Sequence, residues 1–313
     1  MVKLKVEDGA CTYTGSWVVQ HTESASLHSR HDSDGEAETG ASASWGGYIR
    51  GVEIYASKGA DFGKADVYLD GILHGEIDYF SASEQHNVLV YTITGLAAGY
   101  HSISIHKQVA RGRSSAAGRI NLDYLLADFV HPNRDAIRNI VCIGDSITFG
   151  ANVSPRPAQL YGRKLQQMLS IPVSIHGLSG ASIRTITSII DAVVVPRRPE
   201  LILWLAGMND SHPRADLERG IDRIQELLPT AGIIASTIQY NTYYTAEQNS
   251  AKVNEVRTAC QNKGIPCVNL YAATFGNSYI HTPEGTVHPN GDGHNLIANL
   301  FYNEIITHLR RLS

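Results

Sequence analysis

The stretch Ile140-Val141-Cys142-Ile143-Gly144-Asp145-Ser146-Ile147-Thr148 sets the fold class. Four apolar residues in a row, without polar alternation, mark a strand buried on both faces, as in parallel sheets covered by helices. Similar runs recur downstream in Val173-Ser174-Ile175, Leu201-Ile202-Leu203-Trp204-Leu205, Gly232-Ile233-Ile234-Ala235-Ser236 and Pro266-Cys267-Val268-Asn269-Leu270. Helical segments separate them: Ala158 to Leu169, about Ile183 to Val194, and the series Leu217, Ile221, Ile224, Leu228. Thr245 with Gln248 reads as a capping box, and a last helix is predicted from about Asn295 to Arg310. The alternation predicts a three-layer α/β domain with a five-stranded parallel sheet.

Upstream the grammar differs. Tyr48 to Tyr55, Ala65 to Leu69, Asn87 to Ile93 and His101 to Ile105 tend toward the two-residue period of half-buried strands, and Asp70-Gly71, Gly95 and Gly99 punctuate them. Many short strands at regular spacing predict an antiparallel β-sandwich. The expected division is residues 1–130 for the sandwich and 131–313 for the α/β domain, with 313 residues ample for two cores.

Composition excludes several classes. The chain is 43% hydrophobic and 18% charged with a net charge of -4, and no Lys/Arg-rich run points to nucleic acid. No apolar run reaches the roughly 18 residues of a membrane-spanning helix, so no membrane insertion is expected. Met1 to Ala10 carries Lys3 and Lys5 without an apolar stretch behind them, so it does not read as a secretory signal. The cysteines (Cys11, Cys142, Cys260, Cys267) lack zinc or redox spacing, and the fourteen histidines show no ligand spacing. Neither a metal nor a cofactor is expected. Cys260 and Cys267 flank a helix-to-strand turn and lie within reach of each other. Whether the chain forms a homo-oligomer is not encoded in any of these patterns.

Ligands of an open parallel sheet bind beyond the carboxyl ends of its strands. Four segments converge there: Gly144-Asp145-Ser146, Gly177-Leu178-Ser179-Gly180, Gly207-Met208-Asn209-Asp210, and Val287-His288-Pro289-Asn290 ahead of the last helix. A serine, a histidine, an asparagine and backbone N–H groups are the parts an acyl-transfer site requires. Asp145, Asp210 and His294 read as structural groups, Trp204 as core, and His176 as either a site wall or packing.

In these four blocks, in this order, the second half resembles the SGNH (GDSL-like) hydrolase family. The resemblance implies a flavodoxin-like fold with Ser146 as nucleophile and His288 as general base. The N–H groups of Ser146 and Gly180 with the Asn209 amide would form the oxyanion hole. The family usually places an aspartate three residues before the histidine, where this chain has Gly285. Glu284, one residue further back, or a backbone carbonyl are the alternative orienters of His288. No G-x-S-x-G elbow is present, which argues against an α/β-hydrolase lipase.

The first half, through Ala65-Asp66-Val67-Tyr68-Leu69-Asp70-Gly71, Glu76 to Ser81 and Ile120-Asn121-Leu122-Asp123-Tyr124, is similar to galactose-binding-like jelly rolls. Such modules accompany polysaccharide-acting enzymes, including secreted and phage tail proteins. The resemblance therefore implies an acetylated carbohydrate substrate, with an extracellular, cell-surface or phage-associated setting. Trp45, Tyr48, Tyr79 and Phe80 are either a sugar-stacking surface or core aromatics. Two other functions fit the same residues: an esterase for lysophospholipids, thioesters or aryl esters, and a non-catalytic glycan-binding module.

Overall fold

In the computed structural model, which describes residues 3–21, 29–33, 40–108, 118–130, 137–156, 158–277, 280–281 and 287–312, the chain divides into two units. They are Met1–Pro132 and Asn133–Ser313.

The first unit is antiparallel in every pairing between its strands. Its organiser is a strand of 17 residues, Ser42–Lys58. The first half of that strand pairs with Gly99–Lys107, and the second half pairs with Gln85–Ile93. On its other edge it takes Thr12–Thr14 and then Tyr124–Phe129. The partners change around Gly51, where a Cβ would lie 2.8 Å from the Ile93 carbonyl oxygen, so only glycine fits that approach.

Along this strand Ala43, Trp45, Ile49, Val52 and Ile54 point inward. That removes Trp45 from any sugar-stacking surface: it is 6% exposed and meets Phe129 edge-on at 5.8 Å. Tyr79 is excluded for the same reason, at 0% exposure. Large aromatics on the inner face of a sheet are recruited to the core because they bury the most apolar area. Tyr48 is half-buried against Tyr100, and Phe80 alone of the four is well exposed, at 48%.

In the second unit the five apolar runs form one parallel sheet. Its strands are β1 (Ile140–Gly144), β2 (Val173–Gly177), β3 (Leu201–Leu205), β4 (Gly232–Ser236) and β5 (Cys267–Val268). Their spatial order is β2-β1-β3-β4-β5, the flavodoxin-like order, which puts the topological switch point beside β1. The helices are α1 (Ser146–Phe149), α2 (Tyr161–Leu169), α3 (Ile183–Ser188), α4 (Pro213–Leu227), α5 (Ala246–Asn262), α6 (Leu270–Thr274) and α7 (Gly291–Leu312).

Val141, Ile143, Ile202, Trp204, Ile233 and Ala235 pack with Ile183, Ile186, Leu217, Ile221, Ile224 and Val256 in one buried cluster. Each such fully buried aliphatic side chain contributes about 1.5–3 kcal/mol. Trp204 lies against Gly220, where an added Cβ would meet its ring at 2.2 Å.

Several boundaries differ from the sequence expectation. Leu160 is extended and serves as the N-cap of α2, so the helix starts at Tyr161 and not at Ala158. The segment expected as one helix to Val194 breaks after Ser188 into a π turn and a 3-10 turn that contains Pro196. The last helix begins earlier, at Gly291, because the Asn290 side chain accepts from the N–H groups of Asp292 and Gly293 at 3.0 and 2.9 Å. The Thr245–Gln248 capping box is present with both bonds. Cys260 and Cys267 are free thiols, and the Cys267 thiol donates to the Val268 carbonyl at 4.0 Å. No helix of the described residues is long and apolar enough to cross a membrane.

Candidate active site

The carboxyl ends of β1, β2 and β3 carry the three loops picked out in the sequence. Asp145 follows β1 directly and is fully buried; its carboxylate accepts from the Ile147 N–H at 2.9 Å, capping α1. Burial pushes the Asp145 pKa up to about 7, partly offset by that N–H bond. Because Asp145 caps the helix, Ser146 is released from that task. Its hydroxyl lies 3.0 Å from His288 Nε2 across 142 residues of sequence. Ser146 itself is only 7% exposed.

The loop after β2 is stitched to the end of β1 by a bond from the Leu178 N–H to the Gly144 carbonyl at 2.9 Å. Gly180, in that loop, is exposed and left-handed, with φ of 73°. The loop after β3 is tied to it in turn: the Asn209 amide nitrogen donates to the Ala181 carbonyl at 3.0 Å. Asp210 accepts from the Ile183 N–H with both oxygens at 3.1 Å, which fixes the start of α3.

Gly177 is where α1 rests on β2. A Cβ there would lie 1.9 Å from the Phe149 backbone nitrogen and 2.4 Å from its Cα, and backbone cannot yield as a side chain can. Gly177→Ala is therefore expected to push α1, which carries Ser146, off its seat. The expected loss is about 1–3 kcal/mol or more of stability, together with esterase activity, read by thermal melting and ester hydrolysis.

His288 is held by its loop. Gln239 donates from its side-chain nitrogen to the Val287 carbonyl, and His281 bridges Pro289 while its Nε2 sits 3.1 Å from the Tyr240 carbonyl. Burial lowers the His288 pKa below its ordinary value, which favours the neutral imidazole a base requires. Nδ1 of His288 faces the Asn152 side-chain amide at 3.5 Å. A base acting through Nε2 carries its proton on Nδ1, and the partner that tautomer demands is an acceptor. The amide oxygen of Asn152 supplies one when the amide is turned by 180°.

His294 lies elsewhere in function. It is fully buried, accepts the Tyr161 N–H at 3.3 Å, and burial drives its pKa to about 3, so it is a neutral structural group. Trp204 is core, at 1% exposure. Glu284 lies outside the described residues. Among the described residues no group of three His, Cys, Asp or Glu side chains could hold a metal ion.

Sequence reasoning missed the braces of the β3 loop. Lys252, from α5, is 6% exposed, and its ammonium donates to the carbonyls of Met208 and Asp210. The Tyr244 hydroxyl also donates to the Met208 carbonyl, at 2.9 Å. A lysine in a polar helix carries no sign that it turns inward. Asn152 was equally silent, although an Asn two residues after Gly150 is a turn signal that fits its left-handed φ of 63°.

Residues 142–296 match the model of the GDSL-like lipase/acylhydrolase family. Over 114 residues, 36% of this chain, it is 33% identical to the A type blood alpha-D-galactosamine galactosaminidase of Flavonifractor plautii, of whose length it spans about a tenth (10%). Among solved structures it is similar to a carbohydrate esterase family 2 enzyme with a carbohydrate-binding domain from Corynascus thermopiles (Myceliophthora fergusii). That similarity is at 18% identity and TM-score 0.47, over 96% of this chain and 99% of the other. It is also similar to a family two carbohydrate esterase from Cellvibrio japonicus, at 16% identity and TM-score 0.43 over 99% of each chain. The acetylxylan esterase Axe2 of Geobacillus stearothermophilus matches at 20% identity and TM-score 0.46, over 54% of this chain and 94% of the other. The C-terminal unit belongs to the GDSL-like lipase/acylhydrolase family and is a carboxylic ester hydrolase domain.

Proposed function

We propose that this domain removes acetyl groups from a carbohydrate through an acyl-enzyme. Ser146 Oγ attacks the ester carbonyl while His288 Nε2 takes its proton. The oxyanion is held by the N–H groups of Ser146 and Gly180 and by the Asn209 amide, which has a second N–H beyond the one given to Ala181. His288 returns the proton to the departing alkoxide oxygen, which leaves as the free sugar hydroxyl. It then activates a water that releases acetate and restores Ser146.

The observation that carries this reading is the 3.0 Å contact between Ser146 and His288 at the carboxyl end of the sheet. The sugar part rests on openness: Gly180 and Asn209 are both exposed, so a bulky alcohol is tolerated while only the small acyl group enters. A stretch shared with a galactosaminidase is in keeping with a glycan substrate.

The test is acetate release from acetylated xylan and other acetylated glycans, alongside nitrophenyl esters of increasing acyl length. Release from a glycan, with activity falling sharply beyond propionyl, is expected. Cleavage of simple or long-chain esters without any glycan release would select the lipid or aryl ester reading. Silence on all of them would select a glycan-binding module.

Asn152 is the orienter of His288 in this account. Asn152→Ala is expected to lower kcat by about 10²-fold, the scale of a misplaced catalytic group, with KM little changed. Asn152→Asp should recover part of the loss and move the acid limb of the pH profile upward, since a carboxylate stabilises the imidazolium. Glu284→Gln should stay near the wild-type rate. A strong loss in Glu284→Gln with a silent Asn152→Ala would give the role to Glu284.

A further inference from the structure

Beside the reaction centre lies a cavity of about 500 Å³, within the size range of small-molecule sites. Leu160, Ile175 and Ile189 give it apolar walls, and its polar lining includes Arg156, Arg163 and His176. It shares walls with the catalytic elements. Phe149, on its rim, follows Ser146 by three residues on α1 and therefore lies on the same helix face. Gly177 and Leu178, also in its wall, lead directly into the Ser179-Gly180 turn.

The charge pattern of this cavity is one-sided: among the described residues that line it there is no carboxylate. The Arg156 guanidinium sits over the Phe149 ring at 4.1 Å and donates to the Phe149 carbonyl at 3.3 Å. Arg163 donates to the Gln166 side chain at 3.0 Å. A guanidinium has five N–H groups, so each keeps donors in reserve. Arg119, Arg138, Arg184, Arg219 and Arg223 all sit beside carboxylates; among the described residues Arg156 and Arg163 do not. His176 adds a buried Nε2 that has no hydrogen-bond partner. Two planar forks in reserve over an apolar floor suit a ligand with an anionic group on a ring whose C–H face is apolar.

We propose that this cavity is a subsite for an anionic sugar residue, bearing a carboxylate or a sulfate, of the glycan whose ester the domain cleaves. The proposal rests on the carbohydrate esterase reading, but its test does not require turnover. The full chain is titrated with methyl glucuronide, a methyl glucoside sulfate, neutral methyl glucoside and inorganic sulfate. Calorimetry gives affinity, and the NMR signals of the His176 ring report the place of binding.

At least one anionic glycoside should bind tenfold or more tightly than the neutral one, weaken with salt, and shift the His176 signals. Which of the two binds identifies the carboxylate or the sulfate. Arg163→Gln and Arg156→Gln should each lose tenfold or more, while Arg163→Lys, which keeps the charge without the fork, should lose less. Both arginines are exposed, so melting curves should match wild type. Three results would overturn the proposal: equal binding of the neutral glycoside, inorganic sulfate binding as tightly as the sugars, or affinity indifferent to both Gln variants. Absence of glycan deacetylation with these binding results intact would sink the substrate reading of the previous section and leave the anionic-sugar site standing.

Discussion

Ser146→Ala is expected to lower kcat/KM for 4-nitrophenyl acetate by about 10⁴-fold or more while leaving the melting temperature within a few degrees of wild type. In the proposed mechanism the rate effect follows from covalent catalysis: without Oγ no acyl-enzyme would form, and oxyanion stabilisation and binding alone would support the residual rate. The stability effect is small because Ser146 caps nothing. Asp145 already satisfies the Ile147 N–H, and the Ser146 hydroxyl bonds only to His288 among the side chains described. A variant that keeps a tenth of the wild-type rate would remove Ser146 from the chemistry. A variant that fails to fold would instead show the hydroxyl to be structural.

His288→Ala should fall to a similar residual rate, and the double variant Ser146→Ala/His288→Ala should be no slower than either single one. Residues that act as one unit are not additive in this way, because removing either part disables the same step. The wild-type pH profile adds an independent check. In the proposed mechanism deprotonated His288 is the working form, and burial holds its pKa below the ordinary value of about 6.5. The acid limb of kcat/KM should therefore have its midpoint below about 6.5, with full activity at neutral pH. A midpoint above that value would mean a carboxylate or another anion stabilises the imidazolium, contrary to the neutral amide at 3.5 Å.

The strands of the second unit were legible because a parallel sheet buries both faces, and runs such as Leu201 to Leu205 have no other reading. Strand β5 shrank to Cys267–Val268 because it is the outermost strand, where pairing on one side only ends early. Asp145 and Asp210 could be read as capping groups since short acidic side chains beside helix starts do that work in most proteins. The aromatics of the first unit were harder. A two-residue period says that a strand has two faces but not which face is buried, so Trp45 and Tyr79 could not be told from Phe80 before the pairings were known.

In the candidate site, the meeting of Ser146 with His288 was expected from their blocks, whereas the contacts of Asn152, Lys252 and Tyr244 were not. Each of those three reaches its target across the fold: Asn152 to a residue 136 positions away, Lys252 and Tyr244 to the β3 loop. Long-range polar contacts leave no local period or composition for a single sequence to display. The same holds for the paired forks of Arg156 and Arg163, which in sequence are two ordinary basic residues on either side of a helix start.

The central claim, that Ser146 is a nucleophile activated by His288, is tested most directly by covalent labelling with a fluorophosphonate, followed by peptide mass spectrometry. One phosphonyl group per chain on Ser146, with labelling of His288→Ala slowed by orders of magnitude, is the result expected from their 3.0 Å contact. Labelling at any other serine, or equal labelling rates in wild type and His288→Ala, would contradict it.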